Sequence, residues 1–327
     1  MLQREPLLVT LVKMVDRIPM PNQPQKRKRG RPFVYPDTVI VKALIIMIVK
    51  RLYSAYSLLT FLEQETLVTQ QLKRLLQVNG QFPSRRTWER RLGQLPQRLP
   101  ALIGAFGREL VQLLRPWVET GRAIAIDSSP MKAKGGVWHK KDREKGHVPH
   151  SSIDTEAHWG KSDYHGWYYG WKLHLAVTVA ALWIPLSARL TPANVYDGNE
   201  AIALLEEVPL EARFVLGDNH YKTPDILAYC QTNDRLLIAS GRGPYPHDDL
   251  GVKVRQIFHL LRSKSIEPFN QLFKCVFDWH DHVPVKGLQR TSLVVLAAVL
   301  LYQLILLYQH ENGLDVGRGI KPLLRAA

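Results

Sequence analysis

The sequence predicts an all-helical, helix-turn-helix-like N-terminal region followed by an α/β domain, with the change near residue 120. Three observations carry this reading. Apolar residues recur at helical spacing after residue 36, short β-branched runs take over from residue 123, and positive charge is concentrated before the change. Residues 1–120 hold 20 Lys and Arg against 8 Asp and Glu, whereas residues 121–327 hold 24 against 21. An excess concentrated in the first region points to a polyanionic partner there. Helix and turn signals among the basic residues favour nucleic acid over a membrane. The expected domains are residues 1–120 and 121–327.

A chain of 327 residues with 46% hydrophobic composition is large enough for two cored domains. Cys230 and Cys275 form neither a disulfide framework nor a CxxC metal motif, which suits a reducing compartment. The opening MLQREPLLVTLVKM lacks the long apolar core of a secretory signal. Residues 292–308, SLVVLAAVLLYQLILLY, approach the length of a membrane span, but 17 residues that include Gln303 read better as a buried C-terminal helix.

The first local feature is KRKRGRP at 26–32, whose Lys28, Arg29 and Arg31 form a basic arm suited to the narrow, electronegative minor groove. An exposed basic linker has the same composition. Pro36 and Asp37 start a helix with apolar residues at Val41, Leu44, Ile45, Ile48 and Leu52. A second helical stretch runs from about residue 57 to 76. The turn NGQFP then leads to Ser84, an N-cap for SRRTWERRL. That short helix presents Arg85, Arg86, Arg90 and Arg91, as the recognition helix of a helix-turn-helix unit does in the major groove. A solvated arginine-rich helix reads identically. A further helix from about residue 99 to 118 joins the two regions.

The α/β region opens on RAIAIDSSP, a short buried strand that stops on Asp127 before turn residues. Lys132 and Lys134 begin a polar, basic stretch to residue 161 that suits phosphate contacts. YYGWKLHLAVTV and WIPLSARLTPAN alternate apolar with polar residues and predict an antiparallel pair. Asp197 is read as the cap of a helix through residue 208. RFVLGDNHYKT repeats the earlier grammar, a strand that stops on Asp218. A helix at 224–231, a strand at 236–240 and helical spacing through Ile257, Leu260 and Leu261 lead to IEPFNQLFK. Glu267 lies there, 49 positions after Asp218. Pro268 requires either a new helix or a kink at that point. Carboxylates at neighbouring strand ends can converge on a hard cation that prefers oxygen ligands. His139, His147, His150, His158 and His165 and the His280–Asp281–His282 run lack zinc spacing.

AIDSSPMKA around Asp127, YGWKLHLAV with TPANVYDG downstream, LGDNHY around Asp218 and RSKSIEPFNQLFK around Glu267 together resemble the insertion-sequence transposases of the DDE class. The resemblance implies an RNase H-like mixed β-sheet flanked by helices, with Asp127, Asp218 and Glu267 as catalytic residues and metal ligands. It also implies two Mg2+ ions, with Mn2+ as a substitute. Lys274, seven positions after the glutamate, matches a lysine that holds DNA or phosphate. The related pattern has a tyrosine and an arginine at fixed spacing before the glutamate. Here His259 takes the aromatic place, and Arg262, expected as a DNA contact, lies one residue upstream of the matching position. The implied partners are double-stranded DNA, as element ends and target, and a second copy of the chain in a homodimer. Neither a membrane nor a small-molecule cofactor is implied, and the implied setting is the prokaryotic cytoplasm or nucleoid. Two alternatives remain open from sequence: a DNA-binding protein without catalysis, and a metal-dependent nuclease of the same fold.

Overall fold

The computed structural model describes residues 5–21, 34–116, 122–162, 166–240 and 249–327. Lys28, Arg29 and Arg31 lie outside the described residues. The chain forms two compact units, one of residues 1–106 with 292–327 and the other of residues 107–291. This division differs from the expected one, in which everything after residue 120 belongs to one domain. The helix at Leu288–Glu311 is apolar on all sides, so it needs burial on all sides, and most of it clusters with the N-terminal helices.

Unit 1 contains α1 (Leu7–Met14), α2 (Asp37–Val49), α3 (Ala55–Glu63), α4 (Leu67–Leu75), α5 (Arg85–Gln94), the first half of α6 (Leu99–Leu114), most of α12 (Leu288–Glu311) and α13 (Ile320–Arg325). The single helical stretch expected between 57 and 76 is two helices. Thr66 and Thr69 form a reciprocal capping box that starts α4 and separates it from α3. Ser84 caps α5 as its position predicts, accepting from the Thr87 N–H at 3.3 Å. α12 is the one described helix long and apolar enough to cross a membrane, and 83% of its most apolar window is buried inside the protein. Within unit 1, the buried Gln303 side chain donates to the Ile103 carbonyl at 2.9 Å.

Unit 2 is built on one six-stranded sheet: β1 (Ala123–Lys132), β2 (His158–Ser162), β3 (Gly166–Thr178), β4 (Pro185–Pro192), β5 (Phe214–Asp218) and β6 (Leu236–Ser240). β3 pairs antiparallel with β1, β2 and β4, while β1, β5 and β6 run parallel. An antiparallel β4–β3–β1 half joined to a parallel β1–β5–β6 half is the RNase H-like arrangement. α8 (Asp197–Leu205) packs on β1, β3 and β4 and against α9 (Pro224–Thr232). α10 (Asp249–Ser263) packs on β5 and β6, and α11 (Ile266–Phe277) on β1. α7 (Lys140–Glu144) is a single exposed turn between β1 and β2. Gly170 lets β1 and β3 approach, because a Cβ there would stand 2.1 Å from the Met131 carbonyl oxygen.

β1 corrects one expectation: it does not stop on Asp127 but continues to Lys132. Its parallel pairing with β5 ends at Ala125, whereas its antiparallel pairing with β3 continues to Lys132. From Asp127 onward that edge of the strand has left its β5 partner, and Pro130 is tolerated there. β5 does end on Asp218.

Candidate active site

Register brings the two aspartates together. β1 and β5 pair at Ala125 and Leu216, so two residues further along each parallel strand lie Asp127 and Asp218. Asp127 is 16% exposed, and its Oδ1 accepts from the Ser128 N–H at 2.8 Å. Burial pushes its carboxyl up to about 6, and the neighbouring Asp218 and Asp197 charges add to the rise while Arg262 opposes it. Asp218 accepts from the His220 N–H at 2.8 Å, and its second oxygen meets His220 Nδ1 at 3.1 Å. That hydrogen bond is the main reason the His220 imidazole is shifted upward. A glycine precedes Asp218 because a Cβ at Gly217 would meet the Tyr221 ring at 3.0 Å.

Glu267 comes from the helices and is tied to Asp127 through Arg262. α10 ends at Ser263 and α11 begins at Ile266, so a new helix, not a kink, resolves the Pro268 problem. Pro268 falls in the first turn, where its missing N–H has no helical partner to lose. Glu267, in the same turn, is half exposed. Arg262, in the last turn of α10, links the elements: Nη2 lies 3.0 Å from Asp127 Oδ2 and Nη1 lies 3.5 Å from Glu267 Oε1. Its side chain is 11% exposed.

Lys274 lies two turns beyond Glu267 on α11, and burial, then the nearby Lys132 charge, pushes its ammonium down to about 8. Lys132 is exposed at the end of β1, and Lys134 donates to the Pro284 carbonyl at 2.8 Å. Pairing register and the Arg262 ion pairs thus link Asp127, Asp218 and Glu267, while Lys132 and Lys274 neighbour each other at the end of β1, five residues beyond Asp127.

Asp197 has a different role from the expected helix cap. It sits inside the first turn of α8, no side chain caps that helix, and its Oδ1 takes the Lys172 ammonium at 2.8 Å. Lys172 also donates to the Val195 carbonyl. His174, two residues along β3 from Lys172, is fully buried and bonded to the Thr191 hydroxyl at 2.7 Å. Burial pushes its imidazole down to about 4 although Asp197 pulls the other way, so it is neutral at pH 7. Tyr221 is also fully buried, and its hydroxyl finds no hydrogen-bond partner among the described residues. Burial and the Asp127, Asp197 and Asp218 charges raise its phenol well above the usual value. Tyr221 and the Lys172–Asp197 pair were missed in sequence. Alternation along YGWKLHL puts Lys172 and His174 on one strand face, and that was the available signal.

In unit 1, Arg85, Arg86 and Arg90 are exposed on α5. Arg85 pairs with Glu89 at 2.8 Å and lies over the Tyr56 ring at 5.5 Å. Arg91 departs from the expectation of four outward arginines. It is 4% exposed, with Nη2 2.5 Å from Asp37 and Nη1 donating to the Tyr35 carbonyl at 2.7 Å. Its position three residues after the buried Trp88 puts it on the inward stripe.

The donors around Asp127 are carboxylate oxygens, chemistry that suits Mg2+ or Mn2+. Positive charge is already held there by Arg262. Among the described residues, no group of three or more His, Cys, Asp or Glu stands close enough to hold a metal ion as placed. The fit to the ion is one of donor chemistry, and in the structure the Arg262 guanidinium stands between Asp127 and Glu267.

A sheet of this order, with acids at adjacent positions of its central parallel strands, defines an RNase H-like domain with a carboxylate cluster. The sequence places it further: the chain belongs to the transposase DDE domain family, which matches residues 119–303, more than half of its length. No curated protein matches the chain. Among solved structures it is similar to a pre-cleavage Mos1 transpososome, at 12% identity over 87% of this chain and 81% of that one, with a TM-score of 0.22. It is also similar to the Mos1 transposase paired-end complex with the left transposon end, at 12% identity over 90% and 83%, with a TM-score of 0.21.

Proposed function

We propose that this DNA transposase serves an insertion sequence, cutting phosphodiesters at the element's ends and joining the freed 3′-hydroxyl to target DNA. The observation that carries the reading is the meeting of Asp127 and Asp218 on adjacent parallel strands, with Glu267 tied to Asp127 through Arg262. Asp127, Asp218 and Glu267 hold divalent cations, Mg2+ in the cell and Mn2+ as a substitute. Bound there, the ions neutralise phosphate charge and activate water.

The protein's own groups do the rest. Lys132 and Lys274, neighbours at the end of β1, bind phosphate further along the DNA, and the partial burial of Lys274 strengthens that contact by excluding water. Neutral His174 and the Lys172–Asp197 pair hold β3 and α8 rigid behind β1. Arg85, Arg86 and Arg90 present positive charge to duplex DNA from a capped helix whose Trp88 anchor is fully buried. Two copies of the chain pair two ends, in the prokaryotic cytoplasm or nucleoid.

The test is a cleavage and strand-transfer assay on DNA carrying the element's ends, with Mg2+ or Mn2+. It compares the wild type with Asp127→Ala, Asp218→Ala and Glu267→Ala. Wild type is expected to cut and join, and each variant to bind ends without doing either. Binding without cutting by all four proteins would leave a DNA-binding protein. Cutting without joining would leave a nuclease of the same fold.

A further inference from the structure

We infer that Arg262 is a resident counter-cation of the carboxylate cluster: in the metal-free protein its guanidinium occupies the place between Asp127 and Glu267, and an arriving divalent cation displaces it toward DNA phosphate. The inference rests on the metal-site reading above and adds the residue that the ion must move.

The choice of partners carries the argument. The described polar contacts of the guanidinium go to two carboxylates, Asp127 at 3.0 Å and Glu267 at 3.5 Å, supplied by a strand and a separate helix. Its third nitrogen position, Nε, is buried and has no hydrogen-bond partner among the described residues. The other buried arginines differ. Arg235 is anchored on the backbone carbonyls of Leu205, Val208 and Pro209, and Arg91 on Asp37 and the Tyr35 carbonyl. Those backbone acceptors persist whatever binds elsewhere. Arg262 instead leans on groups that the reaction needs for metal.

Carboxylates crowded out of water repel one another and need a cation nearby. A guanidinium meets that need in the absence of metal, and its fork matches phosphate oxygens as well as carboxylate oxygens. Its charge competes with a dication for Asp127 and Glu267, because like charges at contact distance repel each other. The neighbouring Asp197 shows the contrasting case. Its Lys172 partner is also held by the Val195 carbonyl, so that acid stays neutralised.

The experiment titrates Mn2+ into the DNA-free full chain by isothermal calorimetry at neutral pH, using wild type, Arg262→Gln, Arg262→Lys and Asp127→Asn. Circular dichroism first checks that each is folded. Arg262→Gln is expected to bind Mn2+ on the order of tenfold or more tighter than wild type, because the competing charge is gone. Arg262→Lys is expected in between, since a single ammonium cannot bridge both acids. Asp127→Asn is expected to lose the binding. If Arg262→Gln binds no tighter while Asp127→Asn still loses binding, the counter-cation role falls and the metal site stands. If Asp127→Asn binds as well as wild type, or if no protein binds, the metal-site reading falls and takes this inference with it. Should Arg262→Gln be unfolded, Arg262→Lys decides, and an affinity equal to wild type overturns the proposal.

Discussion

Replacing Asp127 by asparagine is predicted to stabilise the metal-free protein and to do so only above acidic pH. The carboxyl is raised in the fold from an ordinary 3.8 to about 6, chiefly by burial. A raised acid binds its proton more tightly in the folded state, so the unfolded chain ionises first as pH rises. Stability therefore falls between about pH 4 and about pH 6 and stays lower beyond. A shift of this size corresponds to roughly 3 kcal/mol at neutral pH. Asparagine has the same shape and no charge to bury, so it avoids that cost while keeping an oxygen for Arg262. Urea unfolding in EDTA, followed at several pH values, measures the difference. The expected result is a gain on the order of 2–3 kcal/mol at about pH 8 that vanishes near pH 4. A variant equally stable at all pH values, or less stable at about pH 8, would falsify the claim that Asp127 is held at an energetic cost.

Four further outcomes follow from the structure. Tyr221→Phe removes a buried hydroxyl that has no described partner, and it is expected to raise stability by about 1 kcal/mol in thermal unfolding. Arg91→Ala breaks an inward ion pair and is expected to cost about 3 kcal/mol. Arg86→Ala is expected to leave stability within about 0.5 kcal/mol. Its effect falls instead on DNA, weakening duplex binding and lowering the salt slope by about one. Lys274 is pushed down to about 8, so it loses charge as pH rises through that value. Duplex affinity measured by anisotropy should fall from about pH 7 to about pH 9, and Lys274→Arg should flatten the fall.

The parts of this protein legible in sequence are those fixed by local chemistry. β5 ends on Asp218 as its strand-then-acid grammar predicts, and β6 occupies the predicted residues 236–240. Ser84 caps α5 for the reason its position suggests. What the sequence hid depends on partners far along the chain. Asp127 is mid-strand because β3 continues beside it after β5 has ended, and only the pairing reveals that. Asp197 looked like a cap until Lys172 on β3 took its carboxylate. Arg262 read as a DNA contact, and its ion pairs with Asp127 and Glu267 arise from the break between α10 and α11. Other misses had signals in plain view. Trp88, Arg91, Leu92 and Leu95 follow helical spacing, which marks Arg91 as inward, and the Thr66–Thr69 spacing marks a helix start.

The measurement that bears most directly on the shared acid site uses Fe2+ in place of the native ion. Fe2+ bound to the full chain, with ascorbate and peroxide, generates hydroxyl radicals that cut the backbone near the ion. Fragments ending near Asp127, Asp218 and Glu267 together, suppressed by excess Mg2+ and absent from Asp127→Asn, are the predicted result. Cuts elsewhere in the chain, or cuts that survive in Asp127→Asn, would show that these acids do not form one metal site.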